Sequence, residues 1–206
     1  IILTFFLVSC GGKGTENTKE LNKETPIPGE APYYLVNVFI GTGGHGHTFP
    51  GATLPFGMVQ LSPDTRNDHS WDGCGGYHYS DPAIIGFSHT HLSGTGVSDY
   101  GDILFMPVTG PVKTEPGTRN NPGSGYRSTF KHESETAAPG FYSVFLDDYR
   151  VKAELTVTQR VGFHRYTFPQ TDDAHILIDL SHRDPVMAAQ LSVTGEQEIS
   201  GFRRSK

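Results

Sequence analysis

Four histidines fall in two His-x-His pairs, His45/His47 and His89/His91, and between them lie the single tryptophan, Trp71, and the run Asp72, Gly73, Cys74, Gly75, Gly76. Histidines two residues apart project from one face of an extended chain, which suits a metal or, as neutral imidazoles, donation to ligand hydroxyls. An indole offers a flat apolar face, and glycines let the backbone approach a ligand closely. From Gly41 to Pro107 the composition therefore reads as the wall of a concave binding site. The competing reading is a set of long turns whose histidines satisfy backbone groups, with Trp71 in the core and Cys74 a small buried hydrophobe.

FSHTHLSG also has the His-x-His of the first strand of metal-dependent amidohydrolases. That fold alternates strands and helices, whereas the downstream sequence is strand-like, and the glycines flanking His45 loosen the geometry a metal needs. Neutral imidazoles donating to hydroxyls are the better role, and no metal ligand is assigned. The carboxylates of the region are Asp64, Asp68, Asp72, Asp81, Asp99 and Asp102. None is assigned catalysis; Asp64 after Pro63 and Asp81 before Pro82 read as turn residues capping their own backbone.

The elements that must position these groups are strands. YYLVNVFIGTG from Tyr33 is a strand-like run closed by glycines. Alternation at Tyr142/Val144/Leu146 and Val151/Ala153/Leu155/Val157 predicts antiparallel neighbours. HILIDLSH (175 to 182) is a further strand, the sequence from Leu191 a hairpin turning near Gly195, and PGTRNNPGSGY (116 to 126) a surface loop. No segment keeps a helical apolar period, and 25 Gly with 14 Pro among 206 residues supports a turn-rich, all-β antiparallel β-sandwich, supersandwich-like in scale, over 33 to 206.

The opening IILTFFLVSC is too short to span a bilayer and reads as the remnant of a signal peptide over residues 1 to 10. Leu7, Val8, Ser9 and Cys10 supply a lipoprotein pattern, so Cys10 is the expected lipidation site and acyl chains the expected membrane anchor. Residues 11 to 32 are polar and read as a flexible tether. Only Cys74 remains for the folded part, so its stability rests on core burial rather than a disulfide. A net charge of -6 without a basic cluster excludes nucleic acid as a partner.

Taken in order, VNVFIGTGGHGHTFPGATLPFGMVQLSPDT, WDGCGGYHYSD, GFSHTHLSGTG and DYGDILFMP closely resemble glycoside hydrolase family 92. The resemblance covers about residues 33 to 206. It implies a calcium-dependent, exo-acting, inverting α-mannosidase acting on α-mannoside glycans such as N-glycans; the lipoprotein pattern at Cys10 fits the exported members of that family, and a lipid anchor in a bacterial outer membrane is the expected location. The resemblance also implies that an N-terminal β-sandwich packs on a C-terminal (α/α)6 catalytic barrel, with the mannose pocket between them. Inversion needs an acid and a base whose carboxyls lie about 6.5 to 9.5 Å apart. By resemblance these, and most Ca2+ ligands, belong to the barrel, so this chain alone is expected to be inactive. Its expected contribution is one pocket wall: the Trp71 face on the sugar ring, Asp72 accepting from hydroxyls, the Gly73–Cys74 backbone approaching closely, and His89 and His91 donating to hydroxyls or bracing the partner domain. A stand-alone carbohydrate-binding lipoprotein module is the alternative.

Overall fold

The computed structural model describes residues 2–4 and 32–206. Cys10 and the tether up to residue 31 lie outside the described residues. In chain order the strands are β1 (Ile2–Thr4), β2 (Ala52–Thr53), β3 (Gln60–Asp64), β4 (Ala83–Ile84), β5 (Gly86–Ser88), β6 (Leu104–Thr109) and β7 (Ser128–Thr129). They continue as β8 (Thr136–Ala138), β9 (Phe141–Leu146), β10 (Val151–Val157), β11 (Gly162–Thr167), β12 (Ala174–Asp179), β13 (Val186–Gly195) and β14 (Glu198–Ser205).

Two antiparallel sheets make the sandwich: five strands in the order β12-β6-β5-β3-β2 and four in the order β11-β10-β9-β8. The all-β expectation holds, and so does its alternation. Tyr142, Val144 and Leu146 pair in register with Leu155, Ala153 and Val151, and all six are buried. The intervening Lys152 and Thr156 are exposed. Period-2 patterning thus gives one sheet a continuous apolar inner face. Leu61, Phe87, Leu104 and Met106 of the other sheet complete the core, each such side chain contributing about 1.5 to 3 kcal/mol by its burial. The hairpin from Leu191 is also present as β13/β14, with Leu191, Val193 and Phe202 exposed. β1 lies antiparallel along β14.

The strand expected from Tyr33 is not there. Pro32–Leu35 forms a 3-10 turn, and successive turns follow: Ile40 N–H donates to Asn37 O and Thr42 N–H to Phe39 O, while Asn37 Oδ1 accepts from Phe39 N–H. Local acceptors therefore take the amides that a neighbouring strand would have paired. Leu35, Val36 and Ile40 are exposed. The apolar run is not a core strand.

Candidate functional site

The floor of the glycine-rich region is Asp64, the last residue of β3, which is fully buried. It is not the self-capping turn residue its sequence suggests. Its Oδ1 lies 2.8 Å from His91 Nε2, and its Oδ2 accepts from Ser88 Oγ at 2.5 Å and from His182 Nε2 at 2.9 Å. His91 Nδ1 faces the Gln60 carbonyl oxygen at 2.7 Å. Both ring nitrogens of His91 thus face oxygen acceptors, one a carbonyl and one a carboxylate. Burial by itself would raise the Asp64 pKa; the charge of His91 and the hydrogen bonds from His182 and His91 overcome it and hold the carboxyl well below the usual range.

Asp81 also departs from its turn reading. It is buried and takes a bidentate pair from Arg66, Nε at 2.7 Å and Nη2 at 3.0 Å, plus Thr65 Oγ1 at 2.8 Å. Arg66 reaches with Nη1 to the Asp72 carbonyl oxygen at 2.6 Å. The amides of Thr65 and Arg66 both donate to Gly76 O. The Trp71–Gly76 loop is therefore tied at both ends to the end of β3. Gly76 has φ +102, and a Cβ there would overlap Asp64 Oδ1, so both backbone geometry and space demand glycine.

On this base Trp71 projects outward, 64% exposed. Its indole meets His47 edge-on, with centroids 4.9 Å apart, and Gly96 packs so closely that a Cβ would come within 2.6 Å of Trp71 Cη2. Asp72 Oδ1 accepts from His45 Nδ1 at 2.9 Å, an exposed pairing that lowers the Asp72 pKa and raises that of His45. Gly73 has no room for a Cβ beside Arg66 and His78. Cys74 is buried, and burial pushes its thiol pKa up. The structure thus brings Trp71, Asp72, Gly73 and Cys74 together on one loop beside His45, His47 and Gly96.

His89 and His91 do not join them at the surface, nor do they share a face. His91 packs against Phe49 over Asp64, whereas His89 faces Phe105 and β11. His89 Nδ1 donates to Ile103 O at 2.8 Å, and its Nε2 lies 3.0 Å from His164 Nε2, whose Nδ1 is 2.7 Å from Tyr166 Oη. With both rings neutral, one arrangement of protons satisfies this chain: Tyr166 donates to His164, His164 to His89, and His89 to the carbonyl. That neutrality follows from burial, which lowers His89 to about 4 and His164 well below its ordinary value.

Several residues that carry the site had no signal in the sequence. The turn after β12 holds His182, Arg183 and Asp184, all buried. Arg183 Nη2 donates to Cys74 O at 2.5 Å and to Ser98 Oγ at 2.6 Å. Arg203 of β14 donates to the carbonyls of Leu180, His182 and Asp184 and pairs with Asp102. Among the described residues no three His, Cys, Asp or Glu side chains converge as metal ligands.

Comparison with known proteins bears on what this wall serves. Residues 35–206 match the glycosyl hydrolase family 92 N-terminal domain. A protein of Arthroderma benhamiae described as an uncharacterized secreted glycosidase is 28% identical over 156 residues, 71% of this chain and 19% of that protein. A family 92 α-mannosidase of Bacteroides thetaiotaomicron, solved in complex with mannoimidazole, superposes with a TM-score of 0.82 at 45% identity, over 84% of this chain and 23% of that one. An inverting mannosidase of the same family and organism superposes with a TM-score of 0.64 at 26% identity, over 79% of this chain and 20% of that one. The chain spans less than a quarter of the length of each of these three relatives.

Proposed function

The chain belongs to glycoside hydrolase family 92 as its N-terminal domain, and from that premise we propose that it forms one wall of the mannose pocket of an exported, exo-acting, inverting α-mannosidase. The observation that carries this is the likeness, over 84% of the chain, to an α-mannosidase solved in complex with mannoimidazole. The geometry supports the assignment of roles. Trp71 presents an exposed aromatic face to the C–H face of a pyranose, Asp72 stands beside it to accept from hydroxyls, and the Gly73–Cys74 backbone allows close approach. His89 and His91 support this wall from inside. Anchoring through Cys10 belongs to the same reading, and the secreted relative supports export.

The chemistry itself is proposed to lie in the remainder of the polypeptide. Hydrolysis with inversion needs a proton donor to the leaving oxygen and a base for water. Three of the region's carboxylates are engaged otherwise: Asp64 by two histidines, Asp81 by Arg66, and Asp102 by Arg203. Among the described residues no three His, Cys, Asp or Glu side chains converge as metal ligands, and the same reading puts most calcium ligands in the remainder of the polypeptide. The test is mannose release from α-mannobiose by the complete polypeptide and by the 206-residue chain. Turnover by the former alone is expected. Comparable turnover by the short chain would place the chemistry wrongly, and submillimolar binding of mannobiose to the short chain would favour a self-sufficient binding module, since half a pocket binds feebly.

A further inference from the structure

Two arginines are buried among the described residues, Arg127 and Arg183, and Arg183 is the one that reaches the loop carrying Trp71. It is 9% exposed, and no carboxylate lies within ion-pair distance of it among the described residues. Its backbone is left-handed at φ 63, a conformation that costs a non-glycine residue about 1 to 2 kcal/mol. Burying a guanidinium without a carboxylate is also costly. The glycines around it are shaped to its side chain: a Cβ on Gly101 would come within 2.5 Å of Arg183 Cδ, and one on Gly76 within 3.1 Å of Nη1. One nitrogen, Nη2, bridges the Cys74 carbonyl and the Ser98 hydroxyl.

Those two acceptors lie on different loops. Cys74 belongs to the loop that carries Trp71, and Ser98 to the loop whose Gly96 packs under the indole. We infer that Arg183 is a positioning residue that joins the Trp71–Gly76 and Gly94–Gly101 loops into a single wall, with Arg203 fixing its turn from behind through the Leu180, His182 and Asp184 carbonyls. A contact chain thus runs from hairpin β13/β14 through Arg203 and Arg183 to Trp71. Arg183 acts on substrate through the loops rather than by touch. The inference rests on the proposed pocket for its functional meaning, but its mechanical part stands apart from any substrate.

Trp71 is the only tryptophan of the 206 residues, so its time-resolved anisotropy in this chain reports how firmly the loop is held. Arg183→Met should about double the amplitude of the fast, nanosecond depolarisation. Arg183→Lys, which keeps the charge but reaches one acceptor, should fall between it and the parent. In the complete polypeptide Arg183→Met should raise KM for α-mannobiose about tenfold with kcat nearly unchanged, the pattern of lost uniform binding. A folded Arg183→Met chain with parental Trp71 anisotropy overturns the inference. If that variant does not fold, Ser98→Ala, which deletes one arm of the bridge at a half-buried hydroxyl, decides instead: a larger fast component supports the bridge, and an unchanged one overturns it. Absence of mannoside turnover in the unaltered complete protein would sink the pocket reading while leaving the anisotropy result intact.

Discussion

Replacing Asp64 by Asn changes one atom at the base of the site and separates charge from shape. The carboxylate is fully buried and accepts from His91, His182 and Ser88. Asparagine can restore most of the hydrogen bonds. Its oxygen can face His91, and its amide can donate to His182 Nε2 if that ring moves its proton to Nδ1, which is buried without a partner. What cannot be restored is the negative charge that His91 and His182 enclose. Removing one member of a buried pair costs about 3 to 5 kcal/mol because the other charge is left uncompensated. With a urea dependence of about 1 to 3 kcal/mol per molar, the midpoint should fall by about 2 M at neutral pH. The pH dependence carries the same signature. The folded Asp64 pKa lies below its unfolded value of about 3.9, so its contribution is present above that value and is lost as pH falls toward the folded pKa. The unaltered and Asp64→Asn stability curves should therefore converge below about pH 4. A loss under about 1 kcal/mol at pH 7, or curves that stay parallel into acid, would show that no buried ion pair is present.

Two further outcomes follow from neighbouring contacts. Gly76→Ala forces a methyl onto Asp64 Oδ1 at a left-handed φ of +102; it should cost more than about 3 kcal/mol in urea unfolding, against less than about 0.5 kcal/mol for a substitution at exposed Gly123, where a Cβ meets nothing. His89 is held neutral with its pKa lowered to about 4, so the unfolded chain takes up its proton first. That favourable contribution is present above about 6.5 and is lost between there and about 4, a total of about 3 kcal/mol. His89→Asn, whose amide keeps the bond to Ile103 O, should flatten the stability slope over that window by up to about 1.4 kcal/mol per pH unit, and an unchanged slope would place the acid sensitivity elsewhere.

The strands that build the sandwich were legible because their information is local. Val151, Ala153, Leu155 and Val157 alternate within seven residues, and their burial follows from the pleat alone. The Trp71–Cys74 cluster was legible for a similar reason, since its residues share one loop. The segment from Tyr33 misled because its apolar residues suggested β structure while Asn37 and the following amides closed turns on themselves. Asp64 and Asp81 misled for the opposite reason. Each follows or precedes a proline, a local cue for a turn, yet their partners come from far away: His182 is 118 positions from Asp64. Arg183 meets Cys74 across 109 positions and Arg203 meets Asp102 across 101. Without periodicity or motif, a single sequence holds no trace of such pairings.

These distant pairings also explain how a domain without a disulfide keeps an exposed wall in one geometry. Asp64 with His91, Asp81 with Arg66 and Asp102 with Arg203 all lie beneath or behind the glycine-rich loops. Buried ion pairs contribute little net stability, because desolvation offsets their attraction, but any rearrangement that separates the partners is heavily penalised. The apolar core between the sheets supplies the folding free energy, which tolerates small shifts in packing. The ion pairs add the opposite property, a steep cost for displacing a loop by even one hydrogen-bond length. Glycines at 76, 96 and 101 then allow the loops to close onto Asp64, Trp71 and Arg183 without a side chain intervening. An indole that must stay 64% exposed cannot be fixed by its own burial. Its position has to be set by the backbone beneath it, and that backbone is held by Arg66 through Asp72 O, by Arg183 through Cys74 O, and by the amides of Thr65 and Arg66 through Gly76 O.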